Sequence, residues 1–143
     1  MKQYFDTSVL IAAFIEDEIH HRACSEALLK SDEGFILDHG VTECFSILTG
    51  GRGLSIRLSP ASAVALLERN VIGRLSIVSL TSDEKFSVIR NCQRLGIRGA
   101  SVYDAMHLAA ARKAGSEEVF TLNLRHFSAC APDLAGLIKI PGE

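Results

Sequence analysis

Short apolar runs alternate along the chain with longer stretches in which apolar residues recur every three or four positions. The runs KQYF (2–5), FILD (35–38), LSIVSL (75–80) and EVFTL (118–122) are bounded by turn or cap residues and read as strands. LIKI (137–140) is a fifth, weaker candidate. Helical patterning fills the intervals: VLIAAFI after Asp6, roughly residues 20–31, a segment after Gly40, and residues 60–72, 81–95 and 101–114. Ser59-Pro60 supplies an N-cap with proline at the first helical position, Thr81-x-x-Glu84 and Ser101-x-x-Asp104 have capping-box spacing, and Gly115 stands where a helix stops. This alternation predicts an α/β fold, a three-layer α/β/α sandwich around a central, mostly parallel sheet of four or five strands. Without internal repeats, low-complexity tracts or a linker, residues 1–143 are expected to form a single domain.

Composition narrows the class. The chain is 48% hydrophobic and 22% charged, which excludes general disorder and allows a core without disulfides. No apolar stretch reaches the roughly 18 residues of a membrane helix. The N-terminal MKQYFDTSVL meets an acid before an export-signal core could form, so no membrane association and a cytoplasmic location are expected. Cys24, Cys44, Cys92 and Cys130 are scattered without a Cys-x-x-Cys pair, which suggests buried, reduced thiols. A formal charge of −2 argues against gripping long nucleic acid through net charge alone. Arginines nevertheless recur at Arg52, Arg57, Arg90, Arg94, Arg98, Arg112 and Arg125, and GGRGLSIR (50–57) is a glycine-rich cationic loop. Taken singly, each of these arginines reads as ordinary solvated surface.

The candidate chemistry lies in the acids. In SVYDAMHLAAA (101–111), Asp104 interrupts a run of apolar and small residues, with Leu108 and Ala111 above it on its own helix face. An ionised carboxylate in such surroundings needs a partner. Asp6 ends the first strand beside a helix start, where α/β sheets bind ligands; Glu43 falls in the first turn of the helix after the second strand; Asn123 follows the strand ending in Thr121-Leu122. Each has an ordinary explanation as a cap, a first-turn acid or a turn residue. Glu43 also points away from the centre of the face made by Val41, Cys44, Phe45 and Leu48. If the three carboxylates converge, a hard divalent cation is the simplest way to offset their repulsion, which implies Mg2+ or Mn2+. The five histidines contain no His-Glu-x-x-His, and His126 reads as a loop or packing residue.

YFDTSVLIAAF, VTECFSIL, SVYDAMHLAAA and VFTLNLRHF, in this order from residue 4 to about 127, resemble the PIN domain family and its VapC-like toxins. The resemblance implies an α/β/α nuclease that uses Mg2+ or Mn2+ to cut RNA, a small cognate antitoxin as partner, and a homodimer. It places Asp6, Glu43 and Asp104 at the family's three main acidic positions, as catalytic and metal-holding residues. Asn123 stands where many members carry a fourth acid. Thr7 and Ser8 match the small hydroxyl residues after the first acid, and Thr121 with Asn123 look like neutral groups able to bond a metal-bound water or a phosphate oxygen. Arg52, Arg57 and Arg125 are the expected contacts to the RNA backbone. Two rivals are a catalytically inert PIN-like binding module, suggested by Asn123, and a receiver-type phosphoacceptor domain, for which Asp38 is the nearest phosphoacceptor candidate.

Overall fold

The computed structural model describes residues 1–51 and 53–143. Five strands, β1 (Lys2–Phe5), β2 (Glu33–Leu37), β3 (Leu75–Val78), β4 (Glu118–Phe120) and β5 (Ile138–Lys139), form one sheet in the order β3-β2-β1-β4-β5. Every neighbouring pair is parallel, and Tyr4 stands between Phe35 and Val119 in register. The helices are α1 (Thr7–Phe14), α2 (His21–Lys30), α3 (Asp38–Gly50), α4 (Pro60–Leu67), α5 (Ser82–Leu95), α6 (Ser101–Lys113) and α7 (Leu124–Cys130). A wider π-helical turn (Glu68–Ile72) extends α4, and a short 3-10 turn (Pro132–Leu134) follows α7.

Side-chain alternation along the central strands divides the core into two halves. Phe5 and Ile36 face one side, where they pack with Val9, Leu10, Cys44 and Leu48. Tyr4 and Leu37 face the other, with Leu108, Val119 and Phe127. A parallel sheet covered on both faces by helices is the predicted three-layer arrangement. No helix among the described residues is long and apolar enough to cross a membrane. All four cysteines are buried and free, and burial pushes the Cys24 thiol up to about 11.

The caps were legible in two of three places. Ser59 Oγ accepts from the Ser62 amide at 3.1 Å. Thr81 and Glu84 make both bonds of the capping box, at 3.1 and 2.8 Å. The box proposed for Ser101 and Asp104 does not form. Ala100 takes the cap position without a side-chain bond, and the amides of Val102 and Tyr103 are met by the carbonyls of Gly99 and Ala100 in a tight preceding turn. Asp104 is thereby left free of a capping role.

Element bounds also move. The third and fourth strands stop at Val78 and Phe120, short of the expected residues 80 and 122. The third helix starts at Asp38 and runs through Gly40, so Glu43 lies in its second turn. Glycine is tolerated inside this helix because of close approach: a methyl group on Gly40 would stand 3.0 Å from Cε1 of His107. The helix α7, unexpected from LRHFSAC, is anchored by the buried pair Phe127 and Cys130 three residues apart.

Candidate active site

The chain winds from β1 outward to β2 and β3, then returns to place β4 on the other side of β1. The crevice at the carboxyl ends of β1 and β4 is thus the point where the winding reverses. Asp6 stands there, immediately after β1, with its amide donating to the carbonyl of Phe120 at 3.0 Å. The residue is only 4% exposed, yet its carboxylate does not cap α1. Oδ2 instead accepts the Ser8 hydroxyl at 2.6 Å and the Thr121 hydroxyl at 2.9 Å. Ser8 Oγ in turn accepts the Leu122 amide, and Thr121 Oγ1 accepts the Asn123 amide. Two hydroxyls therefore lock Asp6 to the loop after β4. Thr121, expected to reach a water or a phosphate oxygen, is fully buried and spends its hydroxyl on Asp6.

Glu43 is brought in from α3. Its Oε1 accepts from Thr7 Oγ1 at 3.1 Å and from His107 Nε2 at 2.8 Å. Burial alone would raise this carboxyl, but the bond and charge of His107, the Thr7 hydroxyl and the charge of His39 outweigh it and hold it below the usual range. Asp104, on the first turn of α6, behaves oppositely. Partial burial and then the charge of Asp6 raise its carboxyl, with Glu43 adding to the rise and His107 and His126 opposing it.

His107 joins these groups and was not foreseen. It is 1% exposed, with Nε2 on Glu43 and 3.8 Å from Asp6 Oδ1. Its Nδ1 meets the Tyr4 hydroxyl at 2.5 Å, and that hydroxyl oxygen accepts the Leu37 amide at 3.0 Å. Whichever way the proton between Tyr4 and Nδ1 lies, Nε2 carries the hydrogen donated to Glu43. Burial opposes charge on His107, but the bond to Glu43 and the charges of Asp6, Glu43 and Asp104 prevail and raise its proton affinity. Its spacing of three residues from Asp104 was the available signal, since both then share a helix face.

The remaining expectations separate. Asn123 is exposed at the start of α7, without a side-chain cap bond. Arg125 is exposed on α7; neighbouring His126, expected in a loop or packed, is exposed on the same helix and near enough to influence Asp104. Arg57 donates to the Thr49 carbonyl at 2.8 Å, bracing the end of α3. Arg52 lies outside the described residues. Asp38 opens α3, its oxygens accepting the His39 amide and the Ser79 hydroxyl.

Among the described residues, no three His, Cys, Asp or Glu side chains form a ready cage for a metal ion. Glu43 Oε1 is occupied by His107 and Thr7. The donor chemistry nonetheless fits a hard dication: Asp6, Glu43 and Asp104 are oxygen donors within electrostatic reach of one another, and the charges of Asp6 and Glu43 add to the burial that raises Asp104.

The PIN domain family model matches residues 4–131. Among solved structures, the chain is similar to Mycobacterium tuberculosis VapC20, described as a Sarcin-Ricin loop cleaving toxin, with a TM-score of 0.70 and 20% identity over 91% of this chain and 95% of that one. It is also similar to a chain of a toxin-antitoxin complex from Klebsiella pneumoniae, with a TM-score of 0.63 and 20% identity over 99% of both. None of the curated proteins matches by sequence.

Proposed function

Because the chain belongs to the PIN domain family, we propose that it is a metal-dependent endoribonuclease, the toxin of a toxin-antitoxin pair. What supports this reading most is that Asp6 and Glu43 flank buried His107 at the sheet's switch point, with Asp104 within electrostatic reach of all three. Asp6, Glu43 and Asp104 would hold Mg2+ or Mn2+. The chemistry such an ion supplies when bound is activation of water and stabilisation of charge on a phosphodiester during in-line attack.

The chain's own residues prepare that chemistry. Ser8 and Thr121 fix the rotamer of Asp6, and Thr7 with His107 fix that of Glu43. Asp6 and Glu43 are thus pre-oriented from the end of β1 and from α3, and Asp104 is offered from α6, elements far apart in sequence. Asn123, exposed at the start of α7, adds a neutral polar group for water or phosphate. Arg52, Arg57 and Arg125 would contact the RNA backbone, bringing positive charge to a chain of net charge −2. The expected setting is a cytoplasmic homodimer; restraint by a cognate antitoxin is the part supported by the toxin-antitoxin complex among the similar structures.

The test is cleavage of RNA by the purified protein with Mg2+ or Mn2+, with and without a chelator, beside Asp104→Asn. Cleavage should stop with the chelator and fall in the variant by more than the roughly 100-fold upper range for loss of a supporting residue around a metal. Cleavage that persists in the chelator, or full activity of Asp104→Asn with an intact fold, overturns the proposal.

A further inference from the structure

We infer that the hollow where α3, α5 and α6 meet beside the candidate site is a nucleobase subsite, with the stacked rings of His39 and Tyr103 as its platform. This inference rests on the ribonuclease reading and names part of the substrate that the site would hold. His39 is four residues before Glu43 on α3, and Tyr103 directly precedes Asp104 on α6. Residues four apart share a helix face, so the platform is flanked by two of the candidate acids.

The two rings lie 14° from parallel with centroids 5.1 Å apart. Tyr103 remains 48% exposed, whereas the only other tyrosine, Tyr4, is fully buried. Among the described residues, neither ring of the pair makes a side-chain hydrogen bond. A solvent-facing aromatic stack with no structural bond to make, beside a phosphodiester-cleaving centre, is what splayed single-stranded bases stack upon.

The stack borders a cavity of about 170 Å³. Leu80 and Met106 supply apolar wall, and Asp38 and Lys85 supply its charged groups. Asp38 is held in orientation, with Oδ1 accepting the His39 amide at 2.7 Å and Oδ2 accepting the Ser79 hydroxyl at 3.0 Å, and each oxygen retains a lone pair. A carboxylate and an ammonium in one apolar slot fit guanine. Its N1–H and exocyclic amine are adjacent donors for Asp38, and its O6 and N7 are acceptors for Lys85. No other RNA base presents two adjacent N–H donors together with such acceptors. The acids beside the slot would then meet the phosphate next to the seated guanosine.

The probe is a fluorescein-labelled single-stranded RNA of about 12 nucleotides with one guanine in a uridine run. Binding is read by anisotropy in a chelator, so that no cleavage intervenes, on the full chain with folding checked by circular dichroism. Tyr103→Ala should weaken binding about 5- to 150-fold, the span of one lost base–aromatic stack, and Tyr103→Phe should restore it. Replacing the guanine by inosine, which lacks the exocyclic amine, should weaken wild-type binding and leave Asp38→Asn unaffected. In cleavage assays Tyr103→Ala should raise KM with kcat nearly unchanged. Equal affinity of wild type and Tyr103→Ala, no RNA binding by wild type, or equal binding of guanine and inosine probes overturns the subsite. The two readings can fail separately. Tyr103-dependent binding without cleavage under Mg2+ or Mn2+ removes the nuclease reading, and cleavage with Tyr103-independent binding removes the subsite.

Discussion

An ionised Asp104 is uncomfortable in the metal-free fold, because partial burial and the charges of Asp6 and Glu43 all favour its protonated form. A carboxyl raised above its unfolded value contributes stability that is fully present below the unfolded value, about pH 3.9, and is lost as pH rises through the folded one. At neutral pH in a chelator the group is therefore a net liability. Asp104→Asn should melt higher than wild type under these conditions, and the gain should vanish as pH falls below the carboxyl's titration. Thermal melts of both proteins from neutral to acid pH check this, and an unchanged or lower Tm at neutral pH refutes it. A variant that gains stability while losing cleavage is the expected mark of a residue kept for chemistry. His107 differs, since it is bonded on both ring nitrogens and crowded against Gly40. Its removal would leave both Glu43 and Tyr4 without their buried partner.

Among the elements, α5 depends most on its ends. Cys92 is its only buried residue, and Phe86 and Ile89 face solvent, so packing contributes little to holding it. The capping box of Thr81 and Glu84 and the ion pair from Lys113 to Glu84 at 2.7 Å secure its first turn. Thr81→Ala should cost about 1 kcal/mol, seen as roughly fivefold faster amide hydrogen exchange confined to α5. Exchange that stays at the wild-type rate would show that the helix is held by its packing after all. The opposite case is α1, whose VLIAAFI stretch is buried almost throughout and forms part of the core between the sheet and α2.

For the whole molecule, the site is a place where folding leaves like charges together, so a cation that binds only the folded chain should stabilise it globally. At about 100 times its Kd, Mn2+ would add roughly 2.7 kcal/mol by mass action. The rise in Tm with added Mn2+ should be clear in wild type and much reduced in Asp104→Asn, with wild-type Tm returning to its starting value when a chelator is added. A wild-type Tm that does not respond to Mn2+ would favour the inert binding module over the nuclease.

Periodicity and caps were enough to read the order of the strands and of the helices before α7, since these depend on neighbours three or four residues away: Thr81 and Glu84 find each other within one turn. The four segments around Asp6, Glu43, Asp104 and Asn123 likewise carried the family likeness in their order alone. What lay beyond local pattern was every bond made across the sheet. The 2.5 Å contact of Tyr4 with His107 joins residues 103 apart, and the Thr121 bond to Asp6 joins residues 115 apart. In sequence His107 is one polar residue in an apolar helix, Gly40 a helix breaker and Tyr103 a surface aromatic. Only the packing of α3 against α6 over the ends of β1 and β2 turns them into a clamp on Glu43, the room for that clamp, and half of a stacked platform. Hydrogen bonds and close contacts depend on distance in space, and a chain fixes that distance only when the sheet has brought its distant segments together.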